Sequence, residues 1–217
     1  MNGSEFLRSL KVGKQWNEDD ASLYFSKESI EGIRLKFTYP PLSEEQNDTF
    51  KLSGYFANLE DNELYTVIYL LGFFKIFSKN IKVYDRQNGM RFEVEMIDPA
   101  TEEKELLVIQ FTFSNNEGYK HVQLTGIVIP PFAKFNRLSL MIVSLLYLCA
   151  KDFGYDLWVV GIVNERWLNT LIHHGGIIDP DNFEDVQITG DFWVFKDDND
   201  RHNYSLAFRT NIQEWWM

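Results

Sequence analysis

From about Arg91 onward the chain settles into regular alternations that read as strands and helices in turn. Arg91 to Ile97 (RFEVEMI) alternates apolar and polar residues, the period-two pattern of a half-buried strand. Pro99 to Lys104 reads as a turn and Leu106 to Phe113 (LLVIQFTF) as a second strand. Ser114 to Gly118 (SNNEG) is a hairpin loop, and His121 to Ile129 (HVQLTGIVI) a third strand. Leu138, Met141, Ile142, Leu145, Leu146 and Cys149 then recur at three- and four-residue steps. That spacing predicts a helix from about Leu138 to Phe153 with one buried face, ended by Gly154 as its C′ residue.

Leu157 to Val163 (LWVVGIV) is apolar on both faces, which suits a central strand. Asn164 opens a second helix carrying Trp167, Leu168, Leu171 and Ile172 inward, and Gly175-Gly176 end it. Two more strands, Val186 to Phe195 and Tyr204 to Arg209, flank the acidic turn Asp197 to Asp200. The central strand-helix-strand step needs a crossover, so its two strands run parallel while the hairpins are antiparallel. The predicted fold class is therefore α/β of the α+β kind. It is a mixed, mostly antiparallel sheet with a central parallel strand pair and flanking helices. Residues 91–217 form this core. Residues 1–90 read as a helical or irregular segment packed on it, with a polar loop at Ser43 to Asp48 and helix-like spacing over Asn58 to Leu71.

Composition narrows the class. Apolar residues make up 45% of the 217, with 18 Phe, 10 Tyr and 6 Trp, enough for a packed core in place of a disordered chain. The longest apolar run, Leu138 to Ala150, is interrupted by Ser139 and Ser144 and is too short to span a bilayer. No signal peptide is read at the N-terminus. Gly3-Ser4-Glu5-Phe6 matches what two adjacent cloning sites encode, so residues 1–6 carry no weight. A lone cysteine, Cys149, suits a reducing, cytoplasmic setting. The net charge of −11 repels phosphate backbones and anionic lipids, which argues against nucleic acid or membrane as partners. An amine or basic protein fits better, although solubility alone is the weightier account of the charge.

Against that acidity, IPPFAKFNRLS is odd: Lys134 and Arg137 sit where a helix begins, at the end of its dipole that disfavours cations. Either both are solvated or an anion comes to lie there. This stretch resembles the pyrophosphate loop of the GNAT acyltransferase superfamily, Q/R-x-x-G-x-G/A, with the motif on Lys134, Phe135, Asn136, Arg137, Leu138 and Ser139. The resemblance covers about Arg91 to Arg209 and rests on strand order and on spacing between His121 and Gly176. Pro131 takes the place of the family's proline, Asn164 falls on its helix-opening asparagine, and Gly175 on its helix-ending glycine. Departures are plain. Arg137 replaces the first glycine, Leu171 replaces the tyrosine that often acts as general acid, and Gly176 replaces an aromatic.

The resemblance implies an N-acyltransferase using acetyl-CoA or another acyl-CoA. Ile127, Val128 and Ile129 would line the pantetheine arm, residues Lys134 to Ser139 would cradle the pyrophosphate, and Asn164 would touch the arm. It also implies a bulge in the third strand, for which Gly126 is the candidate. With glycine lost, Arg137 needs a different backbone path or must grip phosphate with its guanidinium. Asn164 also serves as a plain helix cap. No catalytic side chain is assigned. Glu105 and Glu165 are candidate bases weighed against solvated surface carboxylates, and His173 and His174 suit the helix end better than catalysis. Cys149 reads as core, and no residues have zinc-site spacing. Two rival readings stay open. One is a non-catalytic protein on the same fold. The other is a long-chain N-acyl synthase related to autoinducer synthases, in which Leu64 to Phe77 line an acyl tunnel instead of the core. Trp215-Trp216 either dock back on the domain or join a homodimer interface, docking being the expectation.

Overall fold

The computed structural model describes residues 81–197 apart from 87, 88, 99, 135 and 136 and the side chains of 85, 86 and 152, together with scattered positions between 59 and 80. Seven strands form one sheet: β1 (Ile81–Arg86), β2 (Gly89–Ile97), β3 (Lys104–Asn116), β4 (Tyr119–Val128), β5 (Asp156–Val159), β6 (Ile177–Ile178) and β7 (Val186–Ile188). Helix α1 (Leu138–Asp152) joins β4 to β5, and α2 (Glu165–His173) leads from β5 to β6. The spatial order is β1-β2-β3-β4-β5-β7-β6, with β4 and β5 parallel and every other pairing antiparallel. This is an α+β fold. The expected parallel pair sits inside the sheet, and α1 packs on β4 and β5 while α2 packs against β7.

Alternation decides which face is core. Register aligns Met90, Phe111, Leu124, Val159 and Val186 in one row across five strands, and none is more than 3% exposed. Phe92 stacks on Phe111 at 5.8 Å, and Phe74 lies 5.8 Å from Phe92. Phe74 belongs to a helical set, Glu63, Thr66, Val67, Leu70, Phe73 and Phe74, whose spacing puts them on one face. Val67, Leu70, Phe73 and Phe74 are fully buried, so this part of the helix-like stretch packs on the sheet.

Several boundaries differ from the sequence reading, each for a physical reason. The hairpin loop shrinks to Glu117 and Gly118, both at positive φ (52° and 88°), the two-residue turn whose twist matches its strands. Strand β1 was not anticipated. Strand β5 ends at Val159 instead of Val163, because Gly161 and Ile162 donate to Asp185 and to the Glu184 carbonyl (2.8 and 2.9 Å). Strand β7 stops at Ile188, since a turn closes from Phe192 N–H to the Thr189 carbonyl (3.1 Å). The expected strand at Tyr204 to Arg209 and the pair Trp215-Trp216 lie outside the described residues. Helix α1 is buried on all sides from Leu140 to Ala150, not on one stripe, as its all-round apolar composition requires. It ends in a Schellman arrangement: Gly154, at φ 74°, donates to Lys151, and Tyr155 to Ala150. No helix among the described residues is long and apolar enough to cross a membrane.

Candidate functional site

The two parallel strands part company halfway along β4. Their rungs run from His121–Asp156 to Leu124–Val159, and the last hydrogen bond is Val160 N–H to the Leu124 carbonyl at 3.0 Å. The next residues turn away toward Glu184 and Asp185, as described above. Gly161 makes that departure at φ 65°, with open space where a Cβ would stand. Gly126 to Val128 keep β3 on one side and have no strand on the other among the described residues.

A bulge lies at the point of separation. Gln110 pairs with Gly126 but Phe111 pairs with Leu124, so Thr125 is the extra residue on β4. Its hydroxyl donates to the Gln110 carbonyl at 3.2 Å, fastening the irregularity. The bulge is thus one residue before the glycine that signalled it. Gly126 itself has ordinary room for a methyl group, its nearest neighbour being Gln110 Cβ at 3.6 Å. Bulges bend a strand and end its pairing, which is what happens here.

Beyond β4 the chain passes through Pro130, a short 3-10 turn (Pro131–Ala133) and Lys134 before α1 starts. The first intrahelical bond is Met141 N–H to the Arg137 carbonyl (2.9 Å), which leaves the N–H groups of Leu138, Ser139 and Leu140 without an intrahelical acceptor. The Arg137 side chain makes no cap bond to them, and the first turn holds no acidic residue. Arg137, the N-cap, sits at φ 51° and ψ 15°, in the left-handed region. An N-cap normally lies in the β region, and a left-handed conformation costs an L-residue about 1–2 kcal/mol. Arg137 therefore follows a glycine's backbone path despite its side chain. The guanidinium donates to the Val194 carbonyl at 3.0 Å and lies 5.6 Å from the Phe195 ring. A charged hydrogen bond contributes about 1.5–3 kcal/mol, enough to offset the strain.

The other predicted residues divide. Ile127 and Ile129 are half-buried and Val128 is 57% exposed along the parted strand. Lys134 is exposed, Leu138 is buried and Ser139 half-buried at the helix start, while Phe135 and Asn136 lie outside the described residues. Asn164 caps α2: its side-chain oxygen accepts from Trp167 N–H at 3.1 Å. Glu105 is half-buried on β3 and Glu165 exposed in the first turn of α2. Leu171 is fully buried and Cys149 is 2% exposed inside α1, so both are core.

The histidine pair serves structure. His174 Nδ1 donates to the Trp193 carbonyl (2.7 Å), and its ring lies 4.0 Å from the indole of Trp193. An open groove of about 530 Å³ runs along α2, lined by Glu165, Arg166, Asn169, Thr170, His173 and His174. It follows the exposed side of that helix and does not include the parted strands. The tether from Arg137 to Val194, Thr125's role in the bulge and the hold of Glu184 and Asp185 on the chain after β5 were not anticipated. Comparison with known proteins found no matching family model, no matching curated protein and no matching solved structure.

Proposed function

We propose that this chain is an N-acyltransferase that moves an acetyl or other acyl group from acyl-CoA to an amine. The observation that carries the reading is the parting of β4 and β5 at a bulge, with a helix start beyond the end of β4 whose N-cap side chain makes no cap bond. In the GNAT superfamily, which the sequence resembles, the pantetheine arm enters such a gap and the pyrophosphate rests on the following helix. Here the arm would run beside Gly126 to Val128. The pyrophosphate would take the N–H groups of Leu138, Ser139 and Leu140, with charge from Lys134.

The chemistry asks little of side chains. The amine lone pair adds to the thioester carbonyl carbon, the C–S bond breaks, and the thiolate leaves as the nitrogen loses its proton to a base or water. Positioning the two partners and giving hydrogen bonds to the oxyanion supply most of the acceleration. A backbone N–H at the bulge is the family's donor, and Thr125 and Gly126 occupy that point. The net charge of −11 favours a cationic acceptor, an amine or basic protein, and the single Cys149 fits a cytoplasmic setting.

A second reading, a non-catalytic binder on the same fold, is favoured by Leu171. It is fully buried where the family often has its acid tyrosine, so no hydroxyl stands at that position. The long-chain synthase variant gains less support, because Val67, Leu70, Phe73 and Phe74 are fully buried in the core. Thermal unfolding with coenzyme A, acetyl-CoA and a long-chain acyl-CoA tests the reading. Ligand at 100-fold its dissociation constant adds about 2.7 kcal/mol, a rise of several degrees at roughly 2–4 °C per kcal/mol. A shift with all three supports the cofactor site, and release of free thiol in the presence of amines then separates enzyme from binder. No shift with any of them sinks the proposal.

A further inference from the structure

We infer that Arg137 is a positioning residue: its guanidinium is tethered to the segment after β7 and holds the start of α1 in a left-handed turn, without touching the bound anion. The inference rests on the acyl-CoA reading and assigns a role within that site. Three observations carry it. The backbone of Arg137 is left-handed at the N-cap, a conformation that its side chain disfavours. The side chain reaches 57 residues along the sequence to the Val194 carbonyl and rests near the Phe195 ring. The carbonyl it reaches is itself anchored. Phe192 and Val194 are at most 2% exposed, and Trp193 exchanges two hydrogen bonds with His174 at the end of α2, N–H to carbonyl at 2.9 Å and Nδ1 to carbonyl at 2.7 Å.

A side chain fastened at its tip to a carbonyl in such a buried, hydrogen-bonded segment restrains its own Cα. On this account that keeps the N–H groups of Leu138, Ser139 and Leu140, none of which has an intrahelical acceptor, in one arrangement. The family obtains the same backbone path with glycine, which adopts positive φ without a tether. On this account Lys134, exposed and without a side-chain hydrogen bond or ion pair among the described residues, supplies the charge that meets the ligand.

Two substitutions separate the roles, because both remove the same guanidinium and differ only in backbone preference. Arg137→Gly still accepts positive φ, while Arg137→Ala resists it. Calorimetric titration of coenzyme A into each full-length variant is expected to leave Arg137→Gly within about threefold of the unsubstituted chain. Arg137→Ala should weaken binding about tenfold, the equivalent of the conformational cost. Equal loss in both variants would mean that the guanidinium itself grips phosphate, and would overturn the inference. Amide hydrogen exchange at Met141, whose N–H bonds to the Arg137 carbonyl, measured without ligand, gives a second readout. It should quicken in Arg137→Ala and stay near the original rate in Arg137→Gly. If coenzyme A fails to bind the unsubstituted chain, the acyl-CoA reading falls, yet the exchange rates still decide the tether: equal rates in all three proteins would refute it.

Discussion

Asn164 joins two roles that a pair of substitutions can pull apart. Its side chain caps α2 through a 3.1 Å bond from Trp167 N–H, and under the acyl-CoA proposal it would also touch the pantetheine arm. Helix α2 has nine residues, too short to persist without its cap and its packing. Asn164→Ala removes the acceptor and leaves that N–H unpaired, which costs about 1 kcal/mol. For a chain of this size that lowers Tm by about 2–4 °C. Asn164→Asp keeps an acceptor and adds a negative charge at the helix's positive end, a gain of about 0.3–1 kcal/mol. Its Tm should therefore equal or slightly exceed the original, as followed by circular dichroism. The ligand response should differ in kind: a carboxylate beside the arm weakens coenzyme A although the fold is intact. If Asn164→Asp loses as much Tm as Asn164→Ala, or if Asn164→Ala changes nothing, the cap is not the source of α2's stability.

Other outcomes follow from the same geometry. Gly175→Ala should be far more damaging than a surface substitution, because φ is 95° and the new Cβ would stand 2.5 Å from the Asp191 carbonyl oxygen. A loss of more than about 2 kcal/mol in urea unfolding is expected. Gly126→Ala should stay within about 0.5 kcal/mol of the original in that assay, since its Cβ meets only an ordinary contact. Phe111→Ala, in the middle of the core row, should cost about 3–5 kcal/mol. Tyr119 should titrate above its ordinary range, chiefly because of desolvation, with Asp156 adding to the rise and the Trp158 hydrogen bond opposing it. A phenol whose folded pKa is raised contributes stability that is present below its unfolded pKa and lost as pH rises through the folded one. Tyrosinate absorbance should therefore show a raised midpoint that Asp156→Asn lowers only in part.

Local pattern carried much of the fold. The alternation of Arg91 to Ile97 and the three-four spacing from Leu138 place β2 and α1, because side-chain periodicity is a local property. It also exaggerated: Val160 to Val163 and Thr189 to Phe195 look strand-like, yet Gly161 and Ile162 donate to Asp185 and Glu184, and Phe192 and Trp193 to Thr189 and His174, instead of extending a ladder. Where those partners lie is a matter of tertiary geometry. Alternation in Ile81 to Arg86 is too short to stand out as a strand from pattern alone. At the candidate site, Gly126 gave the bulge to within one residue and Asn164 gave the cap. The left-handed Arg137 and its tether to Val194 had no local signal at all, since every propensity argument for that position favours glycine. The bond between the Tyr155 hydroxyl and Glu63, 92 residues apart, is of the same kind.

The central claim is that the gap between β4 and the chain after β5 receives acyl-CoA. Amide hydrogen exchange with and without saturating coenzyme A tests it most directly, because it reads position as well as affinity. The account predicts slowed exchange at Gly126 to Val128 and at Leu138 to Leu140, with the outer strands β1 and β2 unchanged. Binding that leaves these amides unaltered, or protects only the groove along α2, would contradict it.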